Sequence, residues 1–256
     1  MFVRSALLVT VAGLVGAAPS PTRYKVDQRV ESKMDLSAFG QGEQVQSQAF
    51  VWFFTASYSD SAAGTVMHVV LDSLQADLGM APVPPGAIDS AKGTVFHGFM
   101  DASGKVQTLT ASKSGLLTSQ FEGFLKGFQP RLKRAAKLGD SWIDTLDVET
   151  KSAQVTSKTH TITNYSMGGV ETWDGVQATK LEAAFSAAMT GTMETPAGSA
   201  DMEGKSTGSS TFYLAKDGRY LGGKTTSAGD TSISGAFAPT AIPVKNTTTI
   251  TVNVIK

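Results

Sequence analysis

The sequence predicts a mainly β fold, an antiparallel sheet or sheets built from two pseudo-repeated β units, with one amphipathic helix packed on or over the sheet. Three observations carry this reading: long stretches of period-two alternation, a self-similarity at a fixed offset, and a single segment with clear helical period.

The alternation begins at once. From Tyr24 to Ala38, Tyr24, Val26, Val30, Met34 and Leu36 fall on even positions, and Lys25, Asp27, Arg29, Glu31, Lys33 and Asp35 fall on odd ones. Successive strand side chains point to opposite faces, so this pattern predicts a strand with one wet face. The run Val45 to Tyr58 carries Phe50, Trp52, Phe54 and Tyr58 on one face and Val51 and Phe53 on the other. It reads as a central strand covered on both sides over its second half. Thr65 to Gln75 is a further β-like run. Leu78 to Gly93, broken by Pro82, Pro84, Pro85 and Gly86, is expected to be irregular. Thr94–Met100 and Lys105–Ala111 flank Asp101-Ala102-Ser103-Gly104, a hairpin with glycine where φ must be positive.

Helical period appears where Phe121, Phe124, Leu125 and Phe128 follow the i, i+3, i+4, i+7 spacing. Ser119 and Glu122 fit a capping box, so the helix is expected to start near Ser119 and to stop or kink at Pro130. Gly123 and Gly127, one turn apart, suggest close approach to a surface or ligand. The basic stretch Arg131, Lys133, Arg134 and Lys137 follows. Strand signals then resume at Trp142–Glu149, Gln154–Asn164, Val176–Met189, Thr211–Ala215, Arg219–Ser227 and Thr247–Ile255, with turns at Gly168-Gly169, Asp174-Gly175 and Lys216-Asp217-Gly218.

Pro82 and Pro196 are 114 positions apart, and at that offset Met67 meets Leu181, Val69 meets Ala183, Leu71 meets Phe185, Phe99 meets Tyr213, and Met100 meets Leu214. Gly104 meets Gly218 and Lys105 meets Arg219 at the same offset. The match keeps one apolar strand face, a proline-bearing loop and a glycine-centred hairpin without a gap, which reads as duplication of a β unit. The expected organisation is therefore a signal peptide over 1–17, a first β unit with the helix over 18–137, and a second β unit over 138–256, the halves forming one domain or two.

The signal peptide rests on Arg4, the apolar run Ala6 to Val15, and the small residues Gly16-Ala17-Ala18 before Pro19. A membrane-spanning helix needs about 18 or more apolar residues, and this run breaks sooner. Cleavage after Ala17 keeps Pro19 away from the cut. The mature chain is expected to be exported and soluble, in the periplasm or outside the cell. Without cysteine it has no disulfide, no thiolate nucleophile and no cysteine-ligated metal. Lys and Arg together number 22, as do Asp and Glu, so nucleic acid is not an expected partner.

Motifs of catalysis are weak. In Gly139-Asp140-Ser141-Trp142 the serine follows a polar basic segment, and none of His68, His97 or His160 has an aspartate three residues before it. A serine without a base is not activated, so this segment reads as a turn into the second unit. The three histidines are far apart in sequence and form no ligand spacing, so neither a metal nor a cofactor is expected. Asp144, Asp147 and Glu149 read as a solvated strand edge, and Asp201 and Glu203 as part of a glycine-rich loop. The richest chemistry is aromatic: Trp52, Phe54, Phe121, Phe124 and Phe128 read first as core packing of the helix onto the sheet, and are the candidates for an apolar ligand cavity.

The Tyr24-Lys25-Val26 strand, the helix with its basic tail, Leu138-Gly139-Asp140-Ser141-Trp142, and the Ala215-Lys216-Asp217-Gly218-Arg219 hairpin together resemble an exported bacterial family of unknown function, in which a Gly-Asp-Ser/Thr-Trp segment introduces a second set of strands. The resemblance spans most of the mature chain and implies no catalytic residues. More remotely, an antiparallel sheet with an apolar face and a covering helix is similar in architecture to the periplasmic lipoprotein carriers of the LolA/LolB type, which implies an acyl-chain ligand. The expected function is an exported β-rich, non-enzymatic binding protein whose ligand is a lipid or other apolar or amphiphilic molecule. The alternative is a structural or protein-interaction component of the cell envelope, motivated by reading the polar strand Gln154–Asn164 as an exposed edge.

Overall fold

A computed structural model describes residues 21–79, 82–132, 136–151, 155–195, 198–235 and 240–255. The predicted signal peptide, Pro196, Lys133 and Arg134 lie outside these residues.

Eleven strands form one sheet in which every pairing is antiparallel. The alternating N-terminal run is β1 (Thr22–Asp35), and it lies beside the central strand of the sheet. On one side of it follow β2 (Glu43–Ser61), β3 (Gly64–Asp77), β4 (Val95–Asp101) and β5 (Val106–Ala111), in chain order. On the other side lies the last strand, β11 (Ile242–Ile255). Beyond it come β10 (Tyr220–Gly235), β9 (Gly198–Leu214), β8 (Val176–Thr195), β7 (Val155–Trp173) and β6 (Ser141–Lys151), which forms the far edge. A five-residue helix, α1 (Ala87–Ala91), precedes β4, and α2 (Leu116–Lys126) follows β5.

The two five-strand meanders, β1–β5 and β6–β10, step across the sheet in the same direction. An even number of antiparallel steps separates β1 from β6, so the two strands also run parallel. The positions matched at the 114-residue offset occupy equivalent places. Met67 on β3 and Leu181 on β8 are both buried, as are Met100 on β4 and Leu214 on β9. The two hairpins agree in detail: Gly104 donates to Asp101 O at 2.9 Å with φ 83°, and Gly218 donates to Ala215 O at 2.8 Å with φ 82°. β11 has no counterpart in the first meander and joins the two units by pairing with β1 and β10.

One face of the sheet is concave and holds the core. Tyr24, Val26, Trp52, Phe54, Val69 and Leu181 are fully or almost fully buried there, in one cluster with Leu117, Phe121 and Leu125 of α2. The Tyr24 hydroxyl donates to Tyr220 O at 2.8 Å across the centre of the sheet. Among the described residues no pairing joins the edges β5 and β6. The segment after α2 bridges that gap instead: Arg131 Cα lies near Gly104 at the β4–β5 turn, while the Arg131 guanidinium pairs with Asp144 at 2.6 Å and donates to Thr145 O at 3.0 Å on β6. The sheet is therefore not closed by strand pairing among the described residues, and α2 lies over its apolar face.

Several sequence expectations are corrected. α2 starts a turn earlier than Ser119, at Leu116, with Gly115 at its N-cap and no side-chain cap, and it ends at Lys126 with Gly127 at the C-cap. Ser119 lies inside the helix, where its N–H bonds Gly115 O. Leu78–Gly93 contains the short α1. Gly168-Gly169 is a bulge within β7, and the chain turns only at Asp174-Gly175. Asp201 and Glu203 lie on β9, which extends far beyond Thr211–Ala215. A Cβ on Gly123 or Gly127 would meet nothing within 4 Å, so these glycines do not mark a close approach. The polar strand Gln154–Asn164 is no edge: β7, which carries its described residues, is paired along its length with both β6 and β8.

Candidate functional site

The concave face changes character along the strands. Beneath α2 it is aromatic and closed. Phe121 packs 5.2 Å from the rings of both Trp52 and Phe54 and 5.3 Å from Phe96, and Phe128 packs 5.1 Å from Tyr24 and 5.3 Å from Tyr220. Under the last turns of α2 and the segment that follows it, the same face opens into a cavity of about 500 Å³. Small-molecule sites fall in this size range. The apolar wall includes Val30, Phe50, Phe124, Phe185, Phe212 and Ile250, and the polar lining includes Gln28, Gln48, Thr161, Thr163, Ser210 and Thr225.

The five aromatic candidates separate. Trp52, Phe124 and Phe128 line the cavity. Phe54 and Phe121, both at 0% exposure, are sealed between helix and sheet and do not reach it. Sequence reasoning missed the far wall. Phe185 and Phe212 lie on strands rich in Ala, Ser and Thr, and the cavity brings them together with Phe50 and Phe124.

Two donors in the lining residues have no partner. Trp52 Nε1 and Arg131 Nε are both buried and make no hydrogen bond. A buried unsatisfied donor costs about 1–3 kcal/mol, so each marks a place where an acceptor is expected. The remaining charges at the site are balanced: Arg131 is held by Asp144, and Lys126 by Glu122 at 2.9 Å. Among the described residues no His, Asp or Glu lines the cavity. Burial drives the Tyr220 hydroxyl well above the ordinary phenol range, with Tyr24 adding to the effect, so it stays protonated. The arrangement offers shape, apolar surface and neutral or cationic donors, and no general base.

The open end of the same face forms a shallower groove of about 250 Å³ lined by small and polar residues such as Thr159, Ser206, Ser227, Thr231 and Asn246. Glycines allow the sheet to curl here: a Cβ on Gly208 would collide with Phe185.

No protein-family model matches the chain, and no curated protein matches it. Among solved structures, it is similar to a loop-deletion mutant of OmpT, an outer membrane protein of Vibrio cholerae, with 9% identity over 91% of this chain and 99% of that one, at a TM-score of 0.22. It is also similar to OccAB4 of Acinetobacter baumannii, with 7% identity over 93% of this chain and 99% of that one, at a TM-score of 0.22. Scores this low carry no argument about function. Among the described residues no helix is long and apolar enough to cross a membrane.

Elsewhere the remaining motifs are placed. Ser141 is exposed on the first residue of β6, with Asp140 fixing the preceding turn by accepting from the Lys137 N–H at 2.9 Å. His160 pairs with Asp147 at 2.7 Å on the outer face. Asp144 points inward to Arg131, so Asp144 and Asp147 face opposite sides of the sheet. His68 and His97, 29 residues apart in sequence, stand directly opposite each other on β3 and β4.

Proposed function

We propose that this chain is an exported binding protein that holds one apolar or amphiphilic molecule, carrying a hydrogen-bond acceptor, in the cavity between α2 and the sheet. The observation that carries the reading is the orphaned Trp52 indole N–H in a residue that lines a cavity with Phe50, Phe124, Phe185, Phe212 and Ile250 on its apolar wall. An apolar chain would lie against Phe50, Phe185, Phe212 and Ile250. An ester, amide or carboxylate oxygen would accept from Trp52 Nε1 or Arg131 Nε. The cavity's lack of a base favours binding over catalysis. The signal-like N-terminus and the architectural resemblance to lipoprotein carriers are consistent with a lipid as the ligand. The alternative of an envelope interaction component loses its motive, since the polar strand behind it is interior.

The test is titration of the mature chain with a fluorescent fatty-acid analogue, alongside Ala183→Trp. Ala183 is a buried small residue on the cavity wall, and an indole there would fill the space. One probe bound per chain, displaced by oleate and abolished in Ala183→Trp, supports the proposal. Absence of uptake by the wild-type chain, or equal uptake by a folded Ala183→Trp, overturns it.

A further inference from the structure

The outer face of the sheet carries a second, unrelated constellation. His68 on β3 and His97 on β4 are cross-strand neighbours, and their Nδ1 atoms lie 3.4 Å apart, with ring centroids at 4.8 Å. We infer that the two imidazoles form a surface site for one divalent transition-metal ion, zinc by geometry, held through both Nδ1 atoms.

The separation carries the inference. Two nitrogens each ~2.05 Å from a tetrahedral ion stand about 3.3 Å apart, whereas a right-angled pair would stand at about 2.9 Å. The two side chains already stand with these nitrogens close to the tetrahedral spacing, so a metal replaces the single proton the pair would otherwise share and no strand has to move. β3 and β4 are paired along their length from Gly64–Asp101 to Val70–Val95, which fixes both Cα positions.

The surroundings favour an ion. The flanking cross-strand pairs on this face are Val66 with Phe99 and Val70 with Val95, so apolar side chains stand on both sides of the imidazoles along the strands. The lateral neighbours are Ser57 on β2 and Thr110 on β5, whose hydroxyls bond the carbonyls of His68 at 3.5 Å and His97 at 3.3 Å. Among the described residues no carboxylate engages either ring, in contrast to His160 with Asp147. Among the described residues no group of three or more His, Cys, Asp or Glu assembles. Two protein ligands therefore leave two tetrahedral positions to water or to a ligand from outside the chain, the open arrangement of an exchangeable site.

The test is zinc titration of the tag-free mature chain, followed by calorimetry and by the ¹⁵N resonances of the histidine rings. The expected result is one ion per chain, with the Nδ1 signals of His68 and His97 shifted and those of His160 unmoved. His68→Ala or His97→Ala should weaken binding about tenfold or more, since each removes one of only two protein ligands. His68→Gln and His97→Gln should behave alike, and His160→Ala should bind as the wild type does. Both side chains lie on the outer face away from the core, and an unchanged far-ultraviolet spectrum of each variant ties its loss to the metal site. Zinc that leaves the His68 and His97 nitrogens unmoved, or that binds the folded His68 and His97 variants as tightly as the wild type, overturns the inference. It stands or falls separately from the cavity, which lies on the opposite face.

Discussion

The two ends of the concave face are built on the same strands with the same alternation, and they do opposite things. On β2, Phe50, Trp52, Phe54 and Ala56 point inward under α2 and are buried, whereas Gln44, Gln46 and Gln48, on the same face of the same strand, remain half-exposed. On β10 the step from Tyr220 to Thr225, Ser227 and Thr231 is similar. Strand period decides which side chains face inward, but it does not decide whether a core or a groove forms there. Side-chain size and the presence of a cover decide that, and the cavity sits at the boundary where aromatic volume runs out before the cover does.

This contrast can be broken deliberately, and the largest effect is expected at Phe121. It is sealed against Trp52, Phe54 and Phe96, so Phe121→Ala should leave a cavity at the covered end and cost about 3–5 kcal/mol in urea unfolding. Phe124, one helical turn on, is only partly buried and lines the cavity. Its truncation removes less packed surface, and Phe124→Ala should cost about 1–2 kcal/mol while weakening ligand retention. Equal losses at the two positions would erase the boundary between core and cavity. At the open end, Ser227→Val adds apolar surface to a half-exposed position, and a change within about 0.5 kcal/mol is expected. A large loss there would mean that the open end is part of the cooperative core.

The same boundary separates what was readable in the sequence from what was not. β1, β2 and the β4–β5 hairpin were legible because their inward residues are large and apolar and their turns carry glycine at positive φ. β9 was not: Gly198 to Ser210 is small and polar on both faces, and it is a strand because β8 and β10 pair with it along its whole length. The helix was found from its phenylalanines, but its start was misplaced. Ser119 and Glu122 have the chemistry of a capping box, while Leu117, four residues before Phe121, extends the apolar stripe by a turn and is fully buried. Trp52, Phe124 and Phe128 were visible as an aromatic supply. Their division from Phe54 and Phe121 depends on where the helix ends over the sheet, and the His68–His97 pair depends on strand register. Both are tertiary facts without a local signal.

The smallest effect concerns the turns at the two ends, through their response to acid. At the covered end, Asp101 terminates β4. Partial desolvation works against its charged form, but hydrogen bonds from the Ser103 and Gln107 side chains and from the Lys105 and Ser103 N–H groups outweigh it and hold its carboxyl at about 2. At the open end, Asp35 terminates β1, and bonds from the Ser37 side chain and backbone lower its carboxyl from the ordinary value of 3.8. A carboxyl whose folded pKa is depressed adds stability above its unfolded pKa, and that contribution fades as pH falls toward the folded value. For Asp101 the window lies between about pH 4 and pH 2. Asp101→Asn should therefore flatten the acid limb of stability in that window, and Asp35→Asn should flatten it less, because fewer donors hold that carboxylate. Asp35 is exposed and Asp101 only half-buried, so solvent screens both, and each change should stay small and shrink further with added salt. Thermal melts between pH 2 and pH 6, at low and high salt, give the comparison. If Asp35→Asn alters the acid limb more than Asp101→Asn, the donor-rich hairpin is not what protects the covered end, and the closed packing around Phe121 carries its acid resistance alone.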